Sequence, residues 1–387
     1  VFAEHGIGFA DLRGATLDKF LSREDVDPAL RDLLNVRVQA STTSTAKYKT
    51  LDKVVSSDGR LRGTKQFCGA SRTGRWSGKL FQPDNLPRPT LSAEEVEIGI
   101  MALKGDCVDI AFDNPLAVAS SALRSVIIAP PGKKLVVADL SNIEGRGLAW
   151  LAGEEWLLQA FRDFDAGVGP DIYKLSYAKS FGITPDEVTK AQRQIGKTQT
   201  LALGYAGGIS AFVTFALAYG IDLDKMAEDA WPALPDEKIR EAEDFLEWQA
   251  TRKDAKVVPI SHRAQVTCEV FKRLWREAHP HIVVWWRELE DAMRTAIDSP
   301  GRTIQGVNFK ARRDGAWVRL RLPSGRFLCY PQPRIDDNQI TYAGTNQFTR
   351  KWERVKTYSG KLAENMTQAF ARDVMGANMP GIDEAGY

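Results

Sequence analysis

QRQIGKTQTLALGYAGG, residues Gln192 to Gly208, is the stretch from which the rest of the sequence is read. Arg193, Lys197, Leu201 and Tyr205 recur every four residues. Four residues of α-helix turn about 400°, so the spacing predicts one slowly drifting stripe roughly 18 Å long. Thr189 and Gln192 have capping-box spacing and mark where the helix begins. Arg and Lys one turn apart offer a fork and a point charge to a polyphosphate. The Tyr, further along the stripe, offers a flat surface to a base. Taken alone, the stretch also reads as an ordinary amphipathic helix with a basic solvent face, and that plainer reading prevails until a second segment is weighed.

The second segment is ADLSNIEGR, Ala138 to Arg146. The apolar run KKLVVADL, Lys133 to Leu140, predicts a short buried strand that delivers Asp139 at its end. A carboxylate in that position is a hard oxygen ligand that suits Mg²⁺. Phosphoryl transfer uses such ions to activate the attacking oxygen and to hold charge on the leaving group. The alternative is that Asp139 only caps a helix or forms a turn. A helix is predicted to follow through Trp150.

The whole composition fits a globular protein of two or three subdomains: 387 residues, 43% hydrophobic and 26% charged. No apolar run is long enough to span a membrane, so no membrane partner is expected. The first residue is Val1 and no secretory pattern follows, which reads as a fragment of a cytoplasmic protein. Cys68, Cys107, Cys268 and Cys329 lie far apart without a CxxC pair, which argues against a zinc site or a disulfide framework. His279 and His281 flank a proline and lack a ligand set.

Net charge is only +2, but its distribution is uneven. Between Arg60 and Arg88 seven basic residues face one acid, Asp84, and between Lys310 and Arg326 six face one, Asp314. Two basic tracts on a near-neutral chain suit a groove that holds phosphates, or else two solvated faces.

Elsewhere the pattern predicts a polar, helical start to about residue 58, then strands and tight turns over 60–90. A mostly helical region runs from 154 to 297. Thr184-Pro185-Asp186-Glu187 has the form of a capped helix start. WVRLRL, Trp317 to Leu322, then Pro323-Ser324-Gly325, then RFLCY predicts a β-hairpin. A last helix is predicted from about Lys361 to Met375.

Together the two segments resemble signature motifs of the family A DNA polymerases. The first family motif reads D-Y-S-Q-I-E-L-R, and this chain has Asp139-Leu140-Ser141-Asn142-Ile143-Glu144-Gly145-Arg146. The second reads R-x-x-x-K-x-x-x-F-G-x-x-Y-G, and Arg193, Lys197 and Tyr205 fall in register. TGRWSGKLFQPDNLPR, Thr73 to Arg88, is similar to the T-G-R-x-S…N-x-P stretch that touches primer–template. GKLAENMTQAFARD, Gly360 to Asp373, looks like the helix set against the template. The resemblance spans roughly residues 40 to 387 and has a phage-like local style.

The resemblance implies an α+β right-hand fold. Residues 1–58 would be a partial thumb, 59–153 the first part of the palm, 154–344 the fingers, and 345–387 the second part of the palm. It implies DNA-directed DNA polymerase activity on primer–template DNA and deoxynucleoside triphosphates, with two Mg²⁺ ions, in a bacterial or phage-infected cell. No oligomeric partner is indicated. Asp139 and the carbonyl of Leu140 would bind metal. Glu144 would block the space of a ribose 2′-hydroxyl. Arg193 and Lys197 would hold the triphosphate, Lys197 also giving a proton to the leaving pyrophosphate. Tyr205 would lie near the templating pair. Arg75, Asn85, Lys361, Asn365 and Gln368 would contact DNA.

Three departures stand out. Leu201 replaces an aromatic residue beneath the incoming sugar, and Tyr173 stands where the family has a phosphate-contacting His. The family's His-Asp-Glu motif does not follow Gln368. Asp383-Glu384 lies between Gly381 and Gly386 without a preceding His and reads as a loop, so this chain alone is expected to be inactive or weakly active. The rival readings are a single-subunit RNA polymerase, which Glu144 opposes, and a DNA-binding module without catalysis.

Overall fold

Caps written in the sequence set where the helices begin. Ser92 and Glu95 exchange bonds of 3.2 and 2.8 Å. Thr189 and Gln192 do the same at 3.3 and 2.9 Å, each satisfying amides that a helix start leaves unpaired. The computed structural model describes residues 27–31, 33–34, 46–252, 258, 260–346 and 349–386. The chain divides into two units. One takes the described residues up to Ala70 and Trp76–Val137, and the other takes Ser71–Arg75 and the chain from Ala138 on.

The first unit contains α1 (Ala46–Val54), the two-residue strands β1 (Lys65–Gln66) and β2 (Ser77–Gly78), α2 (Ala93–Lys104), α3 (Val108–Ala111) and α4 (Pro115–Ala122). Its core is small: Phe81, Leu86 and Leu123, with Tyr48, Leu51 and Leu61 against them. Lys47 and Tyr48 fasten α1 to it by donating to the carbonyls of Phe81 and Ala119 at 2.7 and 2.9 Å. The strands expected over 60–90 reduce to the β1–β2 ladder. Gly and Pro leave the rest as turns.

The expected strand over Lys133–Leu140 does not form. The segment is irregular, and Leu135, Val136 and Val137 are 55%, 61% and 90% exposed. A strand needs a neighbour to take its amides and carbonyls, and among the described residues no strand pairs with this one.

The second unit begins with α5 (Ile143–Ala152), α6 (Glu155–Asp165), α7 (Ile172–Phe181), α8 (Lys190–Leu203), α9 (Ile209–Ala218) and α10 (Leu223–Ala230). Then come α11 (Asp236–Ala250), α12 (His262–Ala278) and α13 (Pro280–Asp298). Phe271, Trp275, Ile282 and Trp285 from α12 and α13 are buried at the centre of its core. Two antiparallel sheets follow. One is β3 (Thr303–Gly306), β4 (Phe309–Asp314), β5 (Trp317–Arg321) and β6 (Phe327–Pro331), paired in sequence order. It contains the predicted hairpin, with Trp317 opposite Pro331 and Arg321 opposite Phe327. The other is β7 (Arg334–Asp336), β8 (Gln339–Thr345) and β9 (Trp352–Thr357).

The chain then enters α14 (Ser359–Glu384), which packs on α5 and α13. This helix runs past Met375 and includes Asp383 and Glu384, so the loop expected there is helical. Pro380 lies inside it, and a proline removes one backbone bond there without ending the helix.

Candidate functional site

Two glycines bring the elements of the site together. A Cβ on Gly196 would lie 2.2 Å from the carbonyl oxygen of Tyr173, so only glycine lets α8 close onto the first turn of α7. That approach sets Arg193 beside Asp171. Gly360 makes the same kind of approach to the carbonyl oxygen of Tyr205, also at 2.2 Å. It seats the start of α14 against the turn that follows α8.

Arg193 donates from Nε and Nη2 to the two carboxylate oxygens of Asp171 at 3.0 and 2.8 Å. Asp171 is also the N-cap of α7, accepting from the amides of Tyr173 and Lys174 at 3.0 and 3.1 Å. Burial alone would raise its carboxyl, but the guanidinium and the two amides hold it below the usual carboxylate range. The same bond raises the Arg193 pKa. The bidentate pair uses the Nε and Nη2 edge of the guanidinium, and Nη1 has no hydrogen-bond partner among the described residues. Tyr173 lies beneath, its ring 5.3 Å from the guanidinium carbon, and burial raises its phenol.

Lys197 sits one turn on, its ammonium 4.3 Å from the ring centre of Tyr219. Leu201 follows, half-buried. The helix stops at Leu203, so Tyr205 stands in the turn beyond it rather than on the stripe. The carbonyl of Gly204 is taken by Trp286 Nε1 at 3.1 Å and that of Gly207 by Arg276 Nη2 at 3.2 Å, and these bonds hold the turn that follows the helix.

Tyr205 Oη donates to Glu144 Oε2 at 2.9 Å, and Arg75 Nη1 lies 3.7 Å from Glu144 Oε1. Burial, followed by the Glu144 charge, pushes the Tyr205 phenol far above its usual value, so it remains a donor. Arg75 is held there by its neighbours. Arg326 Nη2 donates to the Thr73 carbonyl at 2.9 Å, and Arg372 Nε to the Gly74 carbonyl at 3.1 Å. Both cations rest on Asp373, at 2.9 and 3.1 Å.

The remaining predicted residues are distributed more widely. Lys361 Nζ and Gln368 Nε2 both reach Glu364, at 2.9 and 3.5 Å. Asn365 is buried and donates to the Tyr330 hydroxyl at 3.2 Å. Asn85, in the first unit, is exposed and donates to Gln82 at 3.0 Å. Asp139 is exposed, and the Leu140 carbonyl accepts from the Ile143 amide at 3.2 Å. These two oxygens are of the kind Mg²⁺ takes. Among the described residues, however, no three His, Cys, Asp or Glu side chains converge on one point. The described donors therefore do not fit the two-ion site that the resemblance implies.

Asp171, Tyr219, Arg326 and Asp373 belong to this arrangement but were not marked as site residues. An Asp directly before an apolar-periodic stretch is an N-cap signal, and it singles out Asp171. Nothing local in the sequence connects Arg326 to Asp373.

The chain belongs to DNA polymerase family A, whose family model matches residues 12–228. It is 31% identical over 398 aligned residues to the DNA polymerase of Bacillus phage SP02, an alignment covering 99% of this chain and 53% of that protein. It is 30% identical over 197 residues to DNA polymerase I of Chloroflexus aurantiacus, covering 51% of this chain and 17% of that one. The chain thus spans about half of the phage relative's length and less of the bacterial one. Among solved structures it resembles the POL domain of Pol1 from M. smegmatis, determined in complex with DNA primer-template and dNTP. The TM-score there is 0.50 at 16% identity, covering 96% of this chain and 46% of that one. This likeness shows the fold, the α+β right-hand polymerase architecture. Family A polymerases use divalent metal ions. Among the described residues no helix is long and apolar enough to cross a membrane.

Proposed function

We propose that this chain is the polymerase part of a DNA-directed DNA polymerase, adding deoxynucleoside monophosphates to a primer 3′-hydroxyl as a template dictates. The observation that carries the reading is the continuous run from the Arg193 fork, through Lys197, to the Tyr205–Glu144 bond. It presents cations for a triphosphate at one end and a phenol with a carboxylate at the other. The Nη1 edge of Arg193 would take a phosphate while Asp171 holds its opposite edge. Lys197 Nζ would donate a proton to the departing pyrophosphate. Glu144 would occupy the space of a 2′-hydroxyl, which favours this reading over a single-subunit RNA polymerase. Arg75, Asn85, Lys361, Asn365 and Gln368 are assigned to primer–template DNA, and Tyr173 and Leu201 to the nucleotide.

Asp139 and the Leu140 carbonyl are assigned to one side of a Mg²⁺ pair, which the described side chains do not complete by themselves. Residues 1–58 are assigned to the thumb, 59–153 and 345–387 to the palm, and 154–344 to the fingers. The phage and bacterial relatives favour action in the cytoplasm of a bacterial or phage-infected cell.

The test is nucleotide binding on a dideoxy-terminated primer–template. Fluorescence anisotropy would follow retention of the DNA as each nucleotide is titrated in. The template-matched nucleotide should tighten the complex, and Arg193→Ala should move that effect to about 10- to 100-fold higher nucleotide concentration. Tightening by no nucleotide, or equally by all four, would leave a DNA-binding module without polymerase function.

A further inference from the structure

The solvent face of the four-stranded sheet carries a block of cations outside the site just described. Strand alternation puts Ile304, Ala311, Leu320 and Leu328 on the inner face. On the outer face, two cross-strand rows run Thr303–Arg312–Arg319–Cys329 and Gln305–Lys310–Arg321–Phe327. Arg312 thus stands directly opposite Arg319, and Lys310 opposite Arg321. Like charges placed in this way are destabilising in a free sheet, with side chains about 5 Å apart across the strands and about 7 Å apart along them.

Asp314 answers only part of this charge. It lies 2.7 Å from Arg312 and 3.8 Å from Arg319. The Lys310 and Arg321 side chains are exposed and have no hydrogen-bond or ion-pair partner among the described residues. They line a recess of about 260 Å³ together with Gln305, Phe309 and Leu322. Two aromatic rings border the block, Trp317 at 42% exposure and Phe327 at 47%. Cations interleaved with exposed rings on a sheet are the surface chemistry that takes single-stranded nucleic acid. The cations follow the backbone, and the rings stack on bases regardless of sequence.

The segment that carries Arg75 meets the same sheet at its β6 edge, where the Arg72 guanidinium packs over the inner-face ring of Tyr330 at 4.9 Å. Arg72 Nη1 donates to the carbonyl of Cys329 at 2.9 Å, and Cys329 is the cross-strand partner of Arg319.

We propose that this face, centred on Lys310, Arg312, Arg319 and Arg321, binds the unpaired template strand beyond the primer terminus. The inference rests on the polymerase reading and extends it to a second contact surface on the same DNA. Charge complementarity selects a polyanion, and the flanking rings select unstacked bases over duplex.

The experiment compares primer–templates whose 5′ template overhangs are about two and about fifteen nucleotides long. Affinities would be read by fluorescence anisotropy across a salt series. The wild-type chain should bind the long overhang roughly tenfold more tightly. The double variants Lys310→Glu/Arg321→Glu and Lys310→Gln/Arg321→Gln should lose that preference while retaining short-overhang affinity. Loss of two phosphate contacts should also reduce the salt slope on the long template by roughly 1.4. Equal wild-type affinity for both templates overturns the proposal, as do variants that keep the preference or that weaken both templates equally. Failure of the polymerase reading looks different, because a matched nucleotide would then fail to tighten even the short-overhang complex.

Discussion

The Tyr205 hydroxyl donates to Glu144 Oε2 at 2.9 Å, joining two residues 61 positions apart. The bond holds the Glu144 carboxylate against the turn after α8, with Arg75 on its other oxygen. If Glu144 excludes a 2′-hydroxyl, that exclusion depends on where the bond holds it. Glu144→Ala should lower discrimination against ribonucleotides about 10- to 100-fold, the equivalent of removing a clash of about 1–3 kcal/mol. Tyr205→Phe should act in the same direction but more weakly, because the carboxylate remains while its tether is lost. Competitive binding of deoxy and ribo forms to a dideoxy-terminated primer–template measures both. An unchanged ratio in Glu144→Ala would remove Glu144 from sugar selection.

The Arg193–Asp171 pair and Lys197 should separate under substitution. Arg193→Ala removes a charged fork and should weaken triphosphate binding about 10- to 100-fold. Asp171→Asn leaves the guanidinium in place but loosens its orientation, so its effect should be smaller and confined to nucleotide affinity. Lys197→Ala should lower the rate of the chemical step more than affinity, because its charge meets one that develops on the leaving group. Nucleotide titrations on the three variants, and single-turnover rates of the same substitutions in a chain extended through the family's His-Asp-Glu motif, provide the comparison. Indistinguishable variants would make α8 an ordinary solvated face.

His279 gives the second unit a pH dependence. Its ring is buried, stacked 4.1 Å from that of Trp275, with Nδ1 2.7 Å from the Trp275 carbonyl. Burial pulls its pKa down to about 4, below the 6.5 of a free imidazole. The unfolded chain therefore takes up a proton that the folded chain refuses. Stability is full above pH 6.5 and falls as pH drops from 6.5 to 4, by about 2–4 kcal/mol from this group. Urea unfolding at neutral and acid pH should show a steeper acid loss in the wild type than in His279→Gln. Parallel losses would show that the ring is protonated as readily in the folded chain as in the unfolded one.

Local signals in the sequence located much of this and missed what depends on distant partners. Thr189–Gln192 capping, the period-two alternation of Trp317 to Leu322 and the four-residue spacing of Arg193, Lys197 and Leu201 are written in neighbouring residues. They appear in the structure as read. The strand expected over Lys133–Leu140 failed because its apolar run reports a preference for burial, and among the described residues no neighbouring strand meets it. Tyr205 was placed on the helix because a spacing of four cannot show that Trp286 and Arg276, far along the chain, capture the carbonyls of Gly204 and Gly207. Asp171 stands directly before an apolar-periodic stretch, but nothing local marks it as the partner of Arg193, since only the close approach at Gly196 joins them.

The most direct test of the central claim is to find where the nucleotide sits. A deoxynucleoside triphosphate with a photoreactive base would be bound to the chain on a dideoxy-terminated primer–template, irradiated, and the labelled peptide sequenced. The account predicts label on the segment from Arg193 to Tyr219, present only when the analogue matches the template base and lost in Arg193→Ala. Label on other peptides, or label on this segment that ignores the template, would contradict it.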